Sequence, residues 1–261
     1  MAFIETTMEL PLRQPKPRTA GLTIAIDNGL PCGLFDDALS SYGELIDIVK
    51  FGWGTSLATP DFHRKLSIAR HYDVDFMLGG TLFEKYVSRD RYDEYLSLCS
   101  RFGCRLIEIS NGTIALDSGT KAKFIERAAL DFSVIAEVGY KDHPRSELFS
   151  PSQWIDAIRS DIDAGAAHVQ LEARESGSSG ICRADGELRF GLIEDILQSD
   201  IASSGLIFES PTKTLQAYFV NRIGAEVNLG NIGFLDVIAL ETLRLGLRSE
   251  TLFADPDGQA S

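Results

Sequence analysis

Eight short apolar segments recur along the chain, and each is followed by a longer stretch in which apolar residues have helical spacing. Strands joined by helical connections run parallel, and eight parallel strands are the number that closes into a barrel. Each segment is almost continuously apolar and ends in Gly, Asp, Asn, Ser or Pro, which is typical of strands covered on both faces. The predicted strands are Leu22–Ile26, Ile46–Phe51, Asp75–Leu78, Arg105–Ile109, Ser133–Val138, His168–Ala173, Leu206–Glu209 and Glu226–Leu229. This pattern predicts an α/β fold, a single-domain (β/α)8 TIM barrel.

An open, doubly wound parallel sheet is the alternative architecture for alternating strands and helices. It predicts a glycine-rich G-x-G-x-x-G turn after the first strand. The chain has "DNGLPCG" at that place, which does not match, so the barrel is favoured. The 261-residue length suits one such barrel. We expect an extended, proline-interrupted lead-in over residues 1–20, the barrel over residues 21–252 and a flexible tail over residues 253–261.

The charge balance and the cysteines limit the classes of partner and the compartment. The chain has 25 basic and 38 acidic residues, a net charge of −13, which argues against nucleic acid or an anionic membrane as the main partner. No apolar run approaches the roughly 20 residues of a membrane span, and the first residues lack the apolar centre of a signal peptide. The four cysteines show no metal-binding spacing, which favours free thiols in a reducing compartment. A cytoplasmic protein that acts on small molecules is therefore expected.

Acidic residues interrupt or follow several of the apolar strands, at positions Glu108, Glu137, Glu172 and Glu209. The carboxyl ends of barrel strands surround the active site, so we expect these side chains to converge there. Carboxylates placed together raise one another's pKa and therefore need cations. The candidate cations are Lys50, Lys141, Arg174 and Lys213. Because carboxylates with few histidines suit a hard ion, the four glutamates are predicted ligands of Mg²⁺.

Polar residues and glycines follow the strands at the same end. Glycines leave backbone N–H groups unobstructed, and the loops after the last two strands of a barrel commonly bind phosphate. The predicted substrate-binding residues are Asp27, Asn28, Gly80, Thr81, Ser110, Asn111, Lys213, Asn228, Gly230 and Asn231. A structural interpretation stays open, because tight turns need glycine and pairs such as Glu172–Arg174 or Glu209–Lys213 can stabilise a barrel rim.

Several stretches together resemble the phosphosulfolactate synthase family. They lie in family order between Leu22 and Thr251 and read "IDIVKFGWGTS", "GGTLFE", "EISNGT", "EVGYK", "VNLGNI" and "ALETLRLGLRSET". The resemblance implies a (β/α)8 barrel and a carbon–sulfur lyase that uses Mg²⁺ to add sulfite to phosphoenolpyruvate, giving 2-phospho-3-sulfolactate. It further implies sulfonate biosynthesis, such as the route to coenzyme M, and a homo-oligomer that can be a trimer.

The resemblance also implies roles for particular residues. Lys141 matches the family's lysine after "EVG" and is the candidate general acid. Glu108, Glu137 and Glu172 are candidates for metal ligands or for residues that support the ligands. Cations would hold the phosphate, carboxylate or sulfite group, and these are Lys50, Arg174 and Lys213. Glu175 is expected to orient Arg174.

The chain departs from the family pattern at several strand ends. Asn28 stands where the family has the lysine of Asp-Lys-Gly, Asn111 where it has the aspartate of Ser-Asp-Gly, and Tyr140 where it often has a first lysine. Ser210 replaces the alanine of "EAP". Two positive charges and one negative charge are therefore missing. This keeps two alternatives open: an enzyme that joins an enol phosphate to a different, less charged nucleophile, and a non-catalytic, stress-associated binding barrel.

Overall fold

Eight parallel strands form one curved sheet, which confirms the predicted barrel. The computed structural model describes residues 10–11 and 13–253. The order of strands in the sheet is β3-β2-β1-β8-β7-β6-β5-β4. The strands are β1 Thr23–Asp27, β2 Ile48–Phe51, β3 Asp75–Leu78, β4 Leu106–Ile109, β5 Ser133–Val138, β6 His168–Leu171, β7 Leu206–Glu209 and β8 Leu229–Gly233.

The sheet is joined by backbone hydrogen bonds at every strand junction except one. Within the described ranges, β3 and β4 are the two ends of the sheet and share no backbone ladder. A side chain joins them instead, because the N–H of Gly80, just after β3, donates to a carboxylate oxygen of Glu108 on β4. The barrel is therefore nearly closed, and a residue of the predicted site takes part in its closure.

The predicted strands agree with the observed ones to within two residues at each end, except at the last strand. The sequence pattern placed it at Glu226–Leu229, whereas the structure begins it at Leu229 and ends it at Gly233. The observed segment "LGNIG" contains two glycines, which are depleted in strands, so its β character is weak in the sequence. Backbone pairing with strands on both sides stabilises the segment as a strand, since Leu229 lies opposite Thr23 of β1 and Phe208 of β7.

Helices cover the outside of the sheet, as the helical spacing between the strands predicts. Their apolar faces pack on the outward side chains of the strands, where Phe51, Trp154 and Phe208 are fully buried. No helix of the described ranges is long and apolar enough to cross a membrane. The helices are α1 Cys32–Tyr42, α2 Thr55–Ala58, α3 Phe62–His71, α4 Gly80–Val87, α5 Tyr92–Phe102, α6 Ser118–Ala128, α7 His143–Leu148, α8 Pro151–Asp163, α9 Phe190–Leu197, α10 Lys213–Ile223 and α11 Val237–Arg244.

The described part of the lead-in lies against the amino-terminal ends of the strands. The Arg13 guanidinium is 3.1 Å from Glu241 Oε1 and 3.3 Å from Glu226 Oε1, and Arg18 donates to Asp47 Oδ1 at 2.9 Å. Residues 1–9 and 12 of the predicted lead-in and residues 254–261 of the predicted tail lie outside the described residues. The predicted division of the chain into three parts stays a prediction.

Candidate active site

The inside of the barrel holds an apolar layer with a polar layer above it. The apolar layer contains Ile24, Ile48, Met77, Ile135 and Ile207. Side chains two residues apart on a strand point to the same face, so the residue two positions later continues the barrel interior towards the carboxyl end. This alternation places Lys50, Glu108, Glu137, Gln170 and Glu209 in the second layer, and all five are at least 95% buried. The four predicted acids are therefore inside the barrel, because Glu172 follows Gln170 by two residues and is buried too.

Lys50 is the central cation of this layer. Its Nζ lies 2.6 Å from Glu108 Oε1, 3.5 Å from Glu209 Oε1 and 3.6 Å from Glu137 Oε2. Burial alone would lower the pKa of Lys50, but the three surrounding carboxylates outweigh burial and raise the pKa above its ordinary value. Lys50 is therefore a fixed positive charge that compensates three acids from three different strands.

Two amide side chains complete the layer. Gln170 Nε2 donates to Glu209 Oε1 at 2.8 Å, to Glu108 Oε1 at 2.9 Å and to Glu137 Oε2 at 3.3 Å. Asn231 Nδ2 donates to the same oxygen of Glu209 at 2.5 Å. The sequence reasoning found Asn231 and missed Gln170. The signal for Gln170 was a polar residue inside the apolar strand "HVQL", the same signal that identified the glutamates.

Lys141 joins two of the acids at the upper edge of the layer. Its Nζ is 2.8 Å from Glu137 Oε1 and 2.8 Å from Glu172 Oε2, and its side chain is 26% exposed. Burial acts to lower the pKa of Lys141, but the carboxylates of Glu137 and Glu172 raise it well above its ordinary value. The ammonium group is thus protonated, partly accessible and fixed between two acids.

Arg174 contributes both its backbone and its side chain. It has a positive φ of 60° without being glycine, a strained conformation that directs its N–H to Glu172 Oε1 at 2.5 Å and Glu209 Oε2 at 3.1 Å. Its side chain is exposed and lines the cavity above the acids. Among the described residues its guanidinium makes no ion pair, so it can bind an anion. Glu175 also lines the cavity but forms no ion pair with Arg174. No direct contact therefore supports its predicted role in orienting Arg174.

A cavity of about 310 Å³ opens above the polar layer at the carboxyl ends of the strands. It is bounded by loops as well as by the acids and cations. These further lining residues are Trp53, Gly79 and Thr113 in loops, and Gly80 and Thr81 at the start of α4. Gly80 and Thr81 begin α4 and line the cavity, so the positive end of this helix dipole faces it. The cavity therefore offers a carboxylate floor and a wall suited to anions.

Three of the four predicted metal ligands come together. One carboxylate oxygen each from Glu137, Glu172 and Glu209 lies within 4.8 Å of the others, and all three residues are buried. Glu108 is not part of this group, and its oxygens accept from Lys50, Gln170 and the Gly80 N–H. A donor set made only of carboxylates suits a hard divalent cation, and all three residues line the cavity.

The acids differ in their proton affinity. Burial raises the pKa of Glu108 to about 7, although Lys50 acts in the opposite direction. Burial, and then the neighbouring charges of Glu137 and Glu209, raise the pKa of Glu172 well above its ordinary value. Burial would also raise the pKa of Glu137, but Lys141 and Lys50 outweigh it and lower the pKa. The cluster therefore contains a firmly ionised acid, Glu137, beside two that hold protons more tightly.

The raised pKa of Glu108 predicts a pH-dependent stability. The folded protein binds this proton up to about pH 7, whereas an unfolded chain releases it near pH 4.5, so the stabilisation is present below pH 4.5 and lost as pH rises to 7. Glu108→Gln should remove up to about 3 kcal/mol of this dependence. Denaturant unfolding at several pH values between 5 and 8 measures it, with the exposed Glu126→Gln on α6 as the control. An unchanged pH slope in Glu108→Gln would contradict the assignment.

Two predicted site residues lie elsewhere in the fold. Asn228 was expected at the carboxyl ends of the strands, but β8 begins after it, so its amide caps the opposite end by donating to Leu206 O at 3.1 Å. Lys213 was expected to hold an anion, yet as the first residue of α10 it points outward and its Nζ is 2.5 Å from Glu250 Oε1. The structure corrects both placements.

Four other predicted residues shape the loops rather than the cavity wall. Asp27 is fully buried, accepts from Gly29 N at 2.8 Å and pairs with Lys65 Nζ at 2.5 Å. Asn28 is exposed and is not among the residues that line the cavity. Ser110 and Asn111 follow β4 and organise the next loop.

The loop after β4 is held by a residue that the sequence reasoning missed. Ser110 Oγ donates to Glu84 Oε1 at 2.6 Å, and the other oxygen of Glu84 accepts from the N–H of Thr113 at 3.0 Å. Asn111 Nδ2 donates to Leu116 O at 2.9 Å. Glu84 is a buried acid on α4, and it positions Thr113 at the cavity. Gly230, the remaining predicted residue, lies inside the barrel beside Gln170.

Solved structures with a similar fold support the barrel assignment. The 3-hexulose-6-phosphate synthase from Salmonella typhimurium aligns with a TM-score of 0.56 at 13% identity, covering 86% of this chain and 99% of that chain. The 3-keto-L-gulonate-6-phosphate decarboxylase from Vibrio cholerae aligns with a TM-score of 0.55 at 11% identity, covering 86% of this chain and 97% of that chain. At these identities the likeness concerns the fold alone.

Sequence relatives give a more specific result. Residues 11–250 match the model of the (2R)-phospho-3-sulfolactate synthase (ComA) family. A phosphosulfolactate synthase from Bacillus subtilis (strain 168) is 50% identical over 247 residues, covering 95% of this chain and 98% of that protein. Another, from Methanothermobacter thermautotrophicus, is 39% identical over 253 residues, covering 93% of this chain and 95% of that protein. With acids and cations gathered in one barrel cavity, the chain belongs to the phosphosulfolactate synthase family of enzymes.

Proposed function

We propose that this protein is a Mg²⁺-dependent phosphosulfolactate synthase that adds sulfite to the methylene carbon of phosphoenolpyruvate. One observation carries the proposal: a single cavity combines a buried carboxylate cluster, Glu137, Glu172 and Glu209, with the accessible cations Lys141 and Arg174. Its volume of about 310 Å³ and its polar floor suit small, highly charged molecules better than a large apolar ligand.

The reaction requires stabilisation of negative charge and one proton. The sulfur lone pair of sulfite forms a bond to the methylene carbon, and the carbon–carbon π electrons move into the substrate carboxylate, giving an enediolate. A proton is then added to the carbon that bears the phosphate ester, whose carbon–oxygen bond stays intact. The atoms of hydrogen sulfite are thereby added across the double bond. Fixed cations near the enediolate oxygens lower the barrier because they are already in place when the charge develops.

Lys141 is the residue that donates this proton. Its ammonium group lies at the edge of the polar layer, partly exposed to the cavity and 2.8 Å from each of Glu137 and Glu172. These acids keep Nζ protonated before the reaction, as its raised pKa requires. A bound divalent cation would share the same carboxylates and thereby reduce their hold on the proton. Lys141 can regain a proton from solvent through its exposed side.

The carboxylate cluster would hold the Mg²⁺ ion. Glu137, Glu172 and Glu209 provide hard oxygen ligands of the kind that this ion prefers. When bound, the ion would supply positive charge that stabilises the enediolate. Lys50 and Gln170 keep the carboxylates in place from below, since both contact Glu209 and Glu137.

Arg174 and the first turn of α4 hold the anionic groups of the substrates. Arg174→Ala should therefore raise KM for phosphoenolpyruvate by about 10- to 100-fold, the loss expected for a hydrogen-bonded charge, while kcat changes less. Steady-state kinetics measure both constants. The control is Arg159→Ala on the outside of α8, where Arg159 pairs with Asp200. A loss confined to kcat in Arg174→Ala would assign the residue to the chemical step instead.

The direct test mixes purified protein with phosphoenolpyruvate, sulfite and Mg²⁺. Phosphorus NMR and mass spectrometry should detect phosphosulfolactate, and a chelator should abolish its formation. A protein that binds phosphoenolpyruvate yet forms no product at enzyme concentrations close to those of the substrate would refute the proposal. The same result would favour a non-catalytic binding barrel.

A different nucleophile is the second candidate, and the geometry argues against it. The departures that suggested it are Asn28, Asn111 and Tyr140, and none of the three is among the described residues that line the cavity. Asn111 is bonded to Leu116 O, and Tyr140 stacks under the guanidinium of Arg145. The cations that line the cavity are Lys50, Lys141 and Arg174, and all three are present despite these departures, which supports sulfite as the nucleophile.

A further inference from the structure

A single buried amide lies at the centre of the acidic cluster. Gln170 is fully buried on β6, and its Nε2 atom donates to carboxylates from β4, β5 and β7 at 2.9, 3.3 and 2.8 Å. One NH₂ group thus connects Glu108, Glu137 and Glu209. A group with two hydrogens that faces three acceptors holds all three at close range through shared, partly bifurcated bonds.

The orientation of this amide is set by its surroundings. The reversed arrangement would turn the carbonyl oxygen towards three carboxylates, which repels. In the observed arrangement Oε1 points to β8, where it has no hydrogen-bond partner among the described residues. Gly230 makes room for it, since a Cβ at Gly230 would lie 2.8 Å from Gln170 Oε1. The absence of a side chain at Gly230 on β8 therefore leaves the space that the Gln170 carbonyl oxygen occupies.

Gln170 and Lys50 approach the same three acids but contribute differently. Lys50 provides a charge, at 2.6 to 3.6 Å from the carboxylates. Gln170 provides donors without charge. The cluster has more carboxyl groups than ammonium groups, and a neutral amide holds the oxygens together without adding a positive charge. A third lysine would hold them too, but it would reduce the attraction for a cation.

We propose that Gln170 is a positioning residue that sets the spacing of the carboxylates and thereby the affinity of Glu137, Glu172 and Glu209 for a divalent cation. Residues that support metal ligands by hydrogen bonding typically change metal affinity by about 10- to 100-fold when they are replaced. The inference rests on the proposed function only for the use of the cation in the reaction.

The experiment measures binding of Mn²⁺, a divalent probe visible by electron paramagnetic resonance, to the wild type and to Gln170→Met. Methionine keeps the length of the side chain and removes both donors. The matched control is Gln216→Met: Gln216 is also buried, but its Nε2 donates to the backbone oxygen of Ser210 at 3.0 Å. Thermal unfolding of each variant separates loss of structure from loss of the site.

We expect Gln170→Met to bind Mn²⁺ about 10- to 100-fold more weakly than Gln216→Met and the wild type. In assays at saturating phosphoenolpyruvate, added Mg²⁺ should restore part of its activity, because the defect lies in cation affinity. Equal Mn²⁺ affinity in all three proteins, equal losses in both variants, or no Mn²⁺ binding by the wild type would overturn the inference. A wild type that binds Mn²⁺ but forms no phosphosulfolactate refutes the proposed function and leaves the role of Gln170 intact if the affinities differ.

Discussion

Replacing Lys50 with methionine is expected to lower the free energy of unfolding at pH 8 by about 3–5 kcal/mol. The substitution removes the cation that lies within 3.6 Å of Glu108, Glu137 and Glu209 and leaves their charges buried without compensation. Protonation of the acids relieves this repulsion, so the loss should be smaller at pH 5. Urea unfolding followed by circular dichroism at both pH values measures the effect.

The control for this prediction is Lys213→Met. Lys213 forms an ion pair with Glu250 at 2.5 Å on the outer surface, and such exposed pairs contribute at most about 1 kcal/mol. Millimolar Mg²⁺ should restore part of the stability of Lys50→Met but not change that of Lys213→Met, because the ion can replace the missing charge in the cluster. Equal stability of the two variants at pH 8 would show that Lys50 does not compensate the buried acids.

Replacing Lys141 with methionine should reduce kcat by about 10²- to 10⁴-fold, the range for loss of a general acid. The substrate would still bind through Arg174 and the first turn of α4, so KM for phosphoenolpyruvate should change much less. Lys141→Arg separates the two properties of this residue: arginine keeps a charge between Glu137 and Glu172, but its guanidinium does not release a proton at ordinary pH. Lys141→Arg should therefore be as stable as the wild type and nearly as slow as Lys141→Met.

Steady-state kinetics and thermal unfolding of both Lys141 variants test this prediction together. Recovery of wild-type kcat in Lys141→Arg would mean that only charge is needed at this position. In that case the proton would have to come from another group, and Glu108, with a pKa raised by burial to about 7, would be the first to replace.

Most of the fold was predictable because two regularities of the sequence are strong. Buried parallel strands are nearly all apolar, and their helical connections have a different apolar period, so the alternation reveals both their number and their direction. The alternation of side chains along a strand then explains why an acid such as Glu108 or Glu137 reaches the barrel interior.

The last strand shows where local pattern fails. "EVNL" has more β character than "LGNIG", yet the second segment is the strand, because both of its edges find partners in β1 and β7. The consequence for the site was direct: Asn228 was assigned to the wrong end of the barrel, while Asn231, three residues later, reaches Glu209. A shift of three residues therefore separates a site residue from a structural one.

The contacts within the site could not be derived from the sequence. Which acid pairs with which lysine depends on distances across the barrel, and these distances depend on strand register and tilt. The sequence also does not reveal in which direction a side chain at the start of a helix points, as the outward position of Lys213 shows. Gln170 could not be identified by a search for charged residues, because its side chain is neutral. Its amide nevertheless donates to three carboxylates.

The unpaired junction between β3 and β4 has a consequence for how substitutions at Glu108 are interpreted. In the described part of the chain, β3 and β4 are the two edge strands of the sheet and share no backbone hydrogen bonds. The carboxylate of Glu108 on β4 connects these edges by accepting from the N–H of Gly80, just after β3. A substitution of Glu108 therefore removes this contact between β3 and β4 and also changes the charge that lines the cavity. A lower activity of a Glu108 variant would therefore combine the effect of a less rigid barrel with the effect of a changed cavity charge.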